Sequence, residues 1–384
     1  MHWKTKLIQP EKRASREFES LSVPVYRGST VVFDSLEGVS DDWRQGEIGY
    51  TYGLYGTPTA MELSGRIAAI EGTKHTFLTP GGQAAIALIY LALCKTGSHV
   101  LLPTTAYGPN RNFAENMGRR FGIKLERYDP LIGEGIGELI REDTTLVWCE
   151  SPGSITMEVQ DVPAIVKAAH ARGVPVALDN TYSAGVLFDA FAFGVDVSMQ
   201  ALTKYVGGHS DLLMGSVSVA DERLYKRIGS TLQQLGMGVS PDDCSLALRG
   251  LSTLAVRLEA LERATLQVAE WLAGRPEIDR VLHPAFAACP GHEVWKRDFT
   301  GSASIFSVLL SPRYTVEQVH AFVDGLKLFK LGWSWGGVTS LAMTYPHMHR
   351  LEPEYHGRLV RLNIGLEEPG DLIADLEAGL KKLV

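Results

Sequence analysis

The chain has 384 residues, of which 45% are hydrophobic and 21% charged, and its formal net charge is −7 at pH 7. That is enough apolar material to bury sizeable cores, and the length points to about two or three domains. The acidic balance argues against nucleic acid or an anionic membrane surface as the main partner.

Residues 1–6 carry no apolar run of the secretion-signal kind, so a cytoplasmic address is expected. Across residues 1–56 no helical or strand period persists, and glycines alternate with aromatics such as Trp43, Tyr50, Tyr52 and Tyr55. This stretch is expected to form an arm that packs against a neighbouring subunit. Next, Gly81-Gly82-Gln83 precedes an apolar run over residues 84–94 that is too short to cross a bilayer and predicts a buried helix. Paired glycines at a helix start either make a tight turn or open backbone N–H groups to a phosphate. Tyr107 follows a strand-like run, where it either packs, stacks on a flat ligand or relays a proton.

The clearest unit runs over residues 145–179. A strand at 145–149 leads through Asp161 and Pro163, a helix cap and first turn, to Gly173 and a second strand at 174–178. Such a β-α-β unit makes its two strands parallel, and its strands alternate with helices as in an α/β sheet covered on both faces. Glu150, Asp179 and Lys204 then fall at carboxyl ends of strands, where open α/β sheets bind ligands. Lys204 sits beside Thr203 and just before Val206-Gly207-Gly208. A lysine so placed supplies an amine nucleophile once desolvated, and an acid on the adjacent strand can hold a pyridine nitrogen protonated. Taken singly, Lys204 also reads as a surface lysine and Asp179 as an Asx-turn residue.

After Pro241 a long helical region covers residues 242–273, with Gly250 as a candidate break. Strands at 304–310 and 358–364 and helices at 316–326 and 371–383 follow, the last with Lys381 and Lys382 placed to match its dipole. In the strand at 358–364, Arg361 and Asn363 share one face and Val360, Leu362 and Ile364 the other. Arg361 is then either solvated or, over a cleft, a bidentate clamp for a carboxylate. Cys94, Cys149, Cys244 and Cys289 lack metal spacing and are expected as free thiols. His347, His349 and His356 are expected to be solvated, and no metal site is expected. The expected division is an arm at 1–56, an α/β domain at 57–243 and an α+β domain at 244–384.

Taken in order, these motifs resemble the Cys/Met-metabolism branch of the fold-type I pyridoxal-phosphate enzymes over essentially the whole chain. The run Glu150-Ser151-Pro152-Gly153-Ser154-Ile155-Thr156-Met157-Glu158-Val159 and the segment Trp333-Ser334-Trp335-Gly336-Gly337 carry the likeness, and it points to the β-lyases of that branch. The resemblance implies a mostly parallel seven-stranded sheet with a smaller α+β C-terminal part, pyridoxal 5'-phosphate as cofactor, and a homotetramer of dimers that share active sites. It makes Lys204 the lysine that bonds the cofactor, Asp179 the partner of the pyridine nitrogen and Tyr107 the tyrosine stacked on the ring. Gly82, Gln83 and Thr203 would hold the phosphate, with Tyr52 reaching it from the neighbouring subunit. Ser334, Trp335, Arg361 and Tyr107 would bind substrate. The implied reaction is cleavage of L-cystathionine to L-homocysteine, pyruvate and ammonia in methionine biosynthesis. The same machinery also serves β-lyases of cystine and cysteine conjugates, γ-lyases and γ-synthases, and an inactive binding or regulatory protein on this scaffold is a remoter alternative.

Three positions depart from the family pattern. Leu54 stands where Tyr-x-Arg has its arginine, Ala201 where a serine is usual, and Thr339 where a glutamate is usual. A lost charge-assisted phosphate contact is worth about 1.5–3 kcal/mol. On that basis Leu54→Arg is expected to tighten cofactor retention.

Overall fold

The computed structural model describes residues 2–8, 20–345 and 355–383. His347 and His349 lie outside the described residues. The first described helices are α1 (Trp3–Ile8) and α2 (Gln45–Ile48), with mostly irregular backbone over residues 20–44 and 49–57. From α3 (Pro58–Glu71) the elements alternate: β1 (His75–Thr79), α4 (Gly82–Leu93), β2 (His99–Pro103), α5 (Gly108–Asn112), β3 (Lys124–Tyr128) and β4 (Thr144–Glu150). There follow α6 (Val162–His170), β5 (Val176–Asp179), β6 (Val197–Gln200) and β7 (Gly215–Val219).

These seven strands form one sheet in the order β1-β7-β6-β5-β4-β2-β3. Only β7 runs against its neighbours; the pairs β2–β3, β2–β4, β4–β5 and β5–β6 are parallel. The fold is therefore α/β with a mostly parallel seven-stranded sheet. Both faces are covered, which is why β2, β5, β6 and β7 are buried along their whole length. One face packs on α3, α6 and a later helix at residues 241–252 through residues such as Leu63, Ile165, Leu178 and Leu248, the other on α4 and a helix at residues 222–235 through Ile86, Leu88, Val100 and Ile228. The α6 helix starts where its sequence says it should: Asp161 accepts from the N–H of Ala164, and Pro163 occupies the first turn, where its missing N–H costs nothing.

The chain continues through α7 (Glu222–Leu235), α8 (Pro241–Ser252), α9 (Leu254–Ala273), β8 (Ile278–Leu282), α10 (His292–Asp298), β9 (Ile305–Leu310) and α11 (Val316–Asp324). It ends with β10 (Lys330–Leu331), β11 (Leu341–Thr344), β12 (Leu359–Asn363) and α12 (Pro369–Leu380). The last five strands form a second sheet, β10-β11-β12-β9-β8, with its own core of Phe306, Val308, Phe322, Val360 and Leu362. The break in the long helical region falls at Thr253, not at Gly250, which stays helical inside α8. The 243/244 boundary of the sequence reading lies within α8, whose Ala247, Leu248 and Leu251 belong to the core under the first sheet. The last helix stops at Leu380, so Lys381 is its cap and Lys382 lies beyond it. All four cysteines are unpaired, three of them buried.

Candidate active site

Because the strands of the first sheet are parallel, their carboxyl ends deliver side chains to one edge. Glu150 leaves β4, Asp179 leaves β5 opposite it in register, and the turn after β6 carries Ala201, Thr203 and Lys204. Across from them, β12 contributes Arg361 and the loop before β11 contributes Ser334 and Trp335. Between the two sheets lies a cavity of about 470 Å³, within the range of small-molecule sites. Gly82, Gln83, Tyr107, Asp179, Thr203, Lys204, Ser334, Trp335 and Arg361 all line it. Tyr52 does not: it is 44% exposed and stacks edge-on with Tyr55 on the irregular segment after α2. A single copy of the chain thus assembles every site residue read from the sequence except the one expected to act in a neighbour.

The Lys204 Nζ donates to Ser334 Oγ at 2.7 Å and lies 5.2 Å from the Trp335 ring. Its pKa is pushed down to about 8, first by burial and then by the Arg361 guanidinium, with Asp179 acting in the opposite sense. A surface lysine would show none of this. Ser334 holds a φ of +111°, an unfavourable conformation for a serine, and its carbonyl accepts from Arg361 at 3.2 Å. Arg361 is buried, and its guanidinium carbon sits 5.5 Å from the Tyr345 ring, so the mid-strand arginine is not a solvated one. Burial pulls its pKa below the ordinary value. Among the described residues no carboxylate pairs with it, which leaves the cation available to an anionic ligand.

Asp179 is buried, and burial raises its carboxyl above the usual range despite Lys204 and two bonds from Thr181. Both of those bonds go to Oδ1, from the Thr181 N–H at 3.1 Å and its hydroxyl at 2.5 Å. Among the described residues no hydrogen bond reaches Oδ2. The Asx turn and the cavity-lining acid are one residue in two uses. Thr181 also accepts from the Ala201 N–H at 2.9 Å and so ties Asp179 to the turn that holds Lys204. Tyr107 is held through its backbone, whose N–H donates to Glu150 Oε2 at 2.6 Å, while burial and the nearby Asp179 and Glu150 charges raise its phenol pKa.

At the far end of the cavity α4 begins at Gly82 with Gly81 as its cap residue, and no side chain caps it. A Cβ on Gly82 would come within 2.8 Å of the Ala201 Cβ, so the helix start rests directly on the Lys204 turn and both residues must be small. The Thr203 hydroxyl donates to the Met214 carbonyl at 3.1 Å and accepts its N–H at 3.0 Å. Sequence reasoning placed Glu150 at a ligand-binding strand end without a specific role and passed over Thr181 and Tyr345. Thr181 was legible as the second residue after an aspartate at a strand end, whereas Tyr345 reaches Arg361 only through the pairing of β11 with β12.

These groups fit a pyridoxal phosphate. A desolvated amine, a buried carboxylate with a free oxygen for a protonated ring nitrogen, an aromatic side chain and an uncapped helix start occupy one cavity. The fold and the site define a pyridoxal-phosphate enzyme of the Cys/Met type. The match to the family model described as "Cys/Met metabolism PLP-dependent enzyme" extends over residues 4–381, and the chain belongs to that family. It is 40% identical to the cystathionine β-lyase of Escherichia coli strain K12, over 99% of this chain and 98% of that one. It is 36% identical to the L-alanine/L-glutamate racemase of Wolbachia pipientis wMel, over 97% and 96%. The crystal structure of cystathionine γ-synthase from Xanthomonas oryzae pv. oryzae, in complex with aminoacrylate and cysteine, superposes with a TM-score of 0.92 at 28% identity, over 100% of this chain and 98% of that one.

Proposed function

We propose that the chain is a carbon–sulfur β-lyase that converts L-cystathionine and water to L-homocysteine, pyruvate and ammonia. The carrying observation is the convergence of Lys204, Asp179, Ser334 and Arg361 on one cavity, in a chain 40% identical to a cystathionine β-lyase over nearly its full length. Arg361 and Ser334 hold the substrate's α-carboxylate, which neutralises the guanidinium that holds down the Lys204 pKa. Lys204 would hold the cofactor through its amine, and the same amine, when free, takes the Cα proton. Asp179 would hold the ring nitrogen protonated, and Gly82, Gln83 and Thr203 would hold the phosphate. Bound there, the cofactor supplies a sink for the electron pair left on Cα. Tyr107 would cover the ring, and the bond from Cβ to sulfur breaks with loss of homocysteine thiolate.

A second copy of the chain completes the assembly in this reading. The irregular segment after residue 20 exposes Leu21, Val32, Leu36 and Val39, an apolar series that fits burial against a partner, and Tyr52 then reaches the partner's phosphate site within a tetramer. Among the described residues no helix is long and apolar enough to cross a membrane. Product analysis tests the reaction: purified protein with L-cystathionine should release pyruvate and homocysteine. Release of 2-oxobutyrate and cysteine would reassign it as a γ-lyase. The similarity to a racemase favours a second reading, in which the Lys204 amine also returns a proton to Cα. Formation of D-alanine from L-alanine, without pyruvate, is its signature.

A further inference from the structure

The Lys204 turn is a tight coil whose carbonyls are almost all engaged. The Ala201 carbonyl accepts from Lys204 N–H at 3.0 Å, Leu202 from Gly207 at 2.8 Å and Lys204 from Gly208 at 2.7 Å. Among the described residues two further carbonyls, those of Tyr205 and Val206, have no backbone donor. Both are taken by one side chain, Arg257 of α9: Nη1 donates to Tyr205 at 2.7 Å and Nη2 to Val206 at 3.5 Å. The same Nη2 donates to the Gly250 carbonyl in the last turn of α8 at 2.7 Å, and Nε donates to the Thr253 hydroxyl at 3.0 Å.

Arg257 is 6% exposed, and among the described residues no carboxylate pairs with it. A buried guanidinium without a counter-ion is costly, and here its charge is balanced only by carbonyl dipoles, those of the turn and those at the carboxyl end of α8. The surroundings are cut to admit it. A Cβ on Gly208, which has a φ of +74°, would lie 2.1 Å from Arg257 Nη1, and a Cβ on Gly250 would lie 2.2 Å from the Val206 carbonyl oxygen. The turn and α8 therefore touch backbone to backbone, with the planar fork as the bolt between them. Lysine, with one point charge, cannot reproduce that fork.

We infer that Arg257 is a positioning residue for Lys204: it fixes the turn on α8 and so sets where the amine stands relative to Asp179, Ser334 and Arg361. The inference rests on Lys204 being the reactive amine, and it acts before any substrate is bound. The groups facing Lys204 are Asp179 from β5, Arg361 from β12, and Ser334 and Trp335 from the loop before β11. A slackened turn lets water reach the amine and moves it off Ser334.

The test is the pH profile of Lys204 itself. In full-length protein stripped of cofactor, reductive methylation of Lys204 is followed by peptide mass spectrometry across pH, with Lys381 as an internal reference. Arg257→Met should raise the Lys204 midpoint by about one pH unit toward that of an ordinary lysine, leave Lys381 unchanged, and release the cofactor from holoprotein at least about tenfold faster. Arg257→Lys should fall nearer to the Met variant than to wild type. Thr253→Val, which removes the Nε partner and that hydroxyl's own 3.1 Å bond to the Gly250 carbonyl, should move the midpoint in the same direction by less, and it carries the test if Arg257→Met does not fold. A lowered melting temperature with the wild-type Lys204 midpoint and cofactor retention, in whichever of these variants fold, would make Arg257 a purely structural bolt and overturn the inference. A different product from the wild-type enzyme would revise the reaction and leave this result untouched.

Discussion

Replacing Lys204 by methionine should make the cofactor-stripped protein more stable at neutral pH while abolishing turnover. Burial and Arg361 lower the lysine pKa from 10.5 to about 8, and at about 1.4 kcal/mol per pH unit this is a cost of roughly 3 kcal/mol to the folded state. The sign follows from proton counts. Below pH 8 both folded and unfolded chains hold the proton, and the whole cost is present. Between pH 8 and 10.5 the unfolded chain binds more protons, so stability rises with pH and the cost fades, to below about 1 kcal/mol near pH 10. Methionine has a similar length and no charge, but it leaves the Ser334 hydroxyl without its 2.7 Å partner, which takes back about 1 kcal/mol. The net expectation at pH 7 is a gain of about 2 kcal/mol. For a urea slope of about 3 kcal/mol/M or more, the midpoint rises by at most about 0.7 M. Equilibrium urea unfolding at pH 7 and pH 10 measures it, with cystathionine cleavage assayed on the same preparations. A variant no more stable than wild type at pH 7, or one whose advantage is equally large at pH 10, would refute the desolvated-amine account.

Arg361→Met should lower kcat/KM for L-cystathionine by about 10- to 150-fold, mostly through KM, as a charge-assisted clamp worth about 1.5–3 kcal/mol is lost. Steady-state kinetics with thiol detection reads this, and an unchanged KM would move the carboxylate site elsewhere. For Leu54→Arg the place of Leu54 within one copy of the chain sets a second outcome beside the one expected from sequence. Leu54 Cδ1 lies 2.9 Å from where a Cβ on Gly238 would stand, and Leu54 faces a second cavity with Met61, Met237 and Val239. A guanidinium that stayed there would replace a half-buried apolar contact, so the variant should lose about 1 kcal/mol of stability and gain no cofactor retention in dialysis. Tighter retention would mean that the segment turns toward a partner's phosphate site instead.

Periodicity was a reliable guide wherever one local signal decides a boundary. The β-α-β unit, the Asp161 cap with Pro163, and the alternation that puts Arg361 opposite Leu362 each depend on a few adjacent residues, and each appears as read. Two local readings failed for reasons outside their windows. Gly250 looked like a helix break because glycine weakens a helix, yet its missing side chain serves the contact with Val206 and the helix runs on to Ser252. The last helix was drawn too long because its lysines suit a helix end, while the Lys381 N–H already turns back to the Glu377 and Gly379 carbonyls as a cap.

By itself the sequence determined the alternation of helices and strands, the parallel sheet that follows from it, and the chemical types at the strand ends: an amine, an acid, a glycine-opened helix. These are consequences of neighbours along the chain. Only the tertiary structure decided what those groups can do. The lowered proton affinity of Lys204 comes first from its burial between the two sheets and then from Arg361, 157 residues away in the chain. The engagement of Oδ1 but not Oδ2 on Asp179, the guanidinium of Arg257 across the turn, and the inward set of Leu54 against Gly238 likewise arise between segments. Charge interactions and desolvation depend on distance through space and on what surrounds a group, and no spacing along the chain records either.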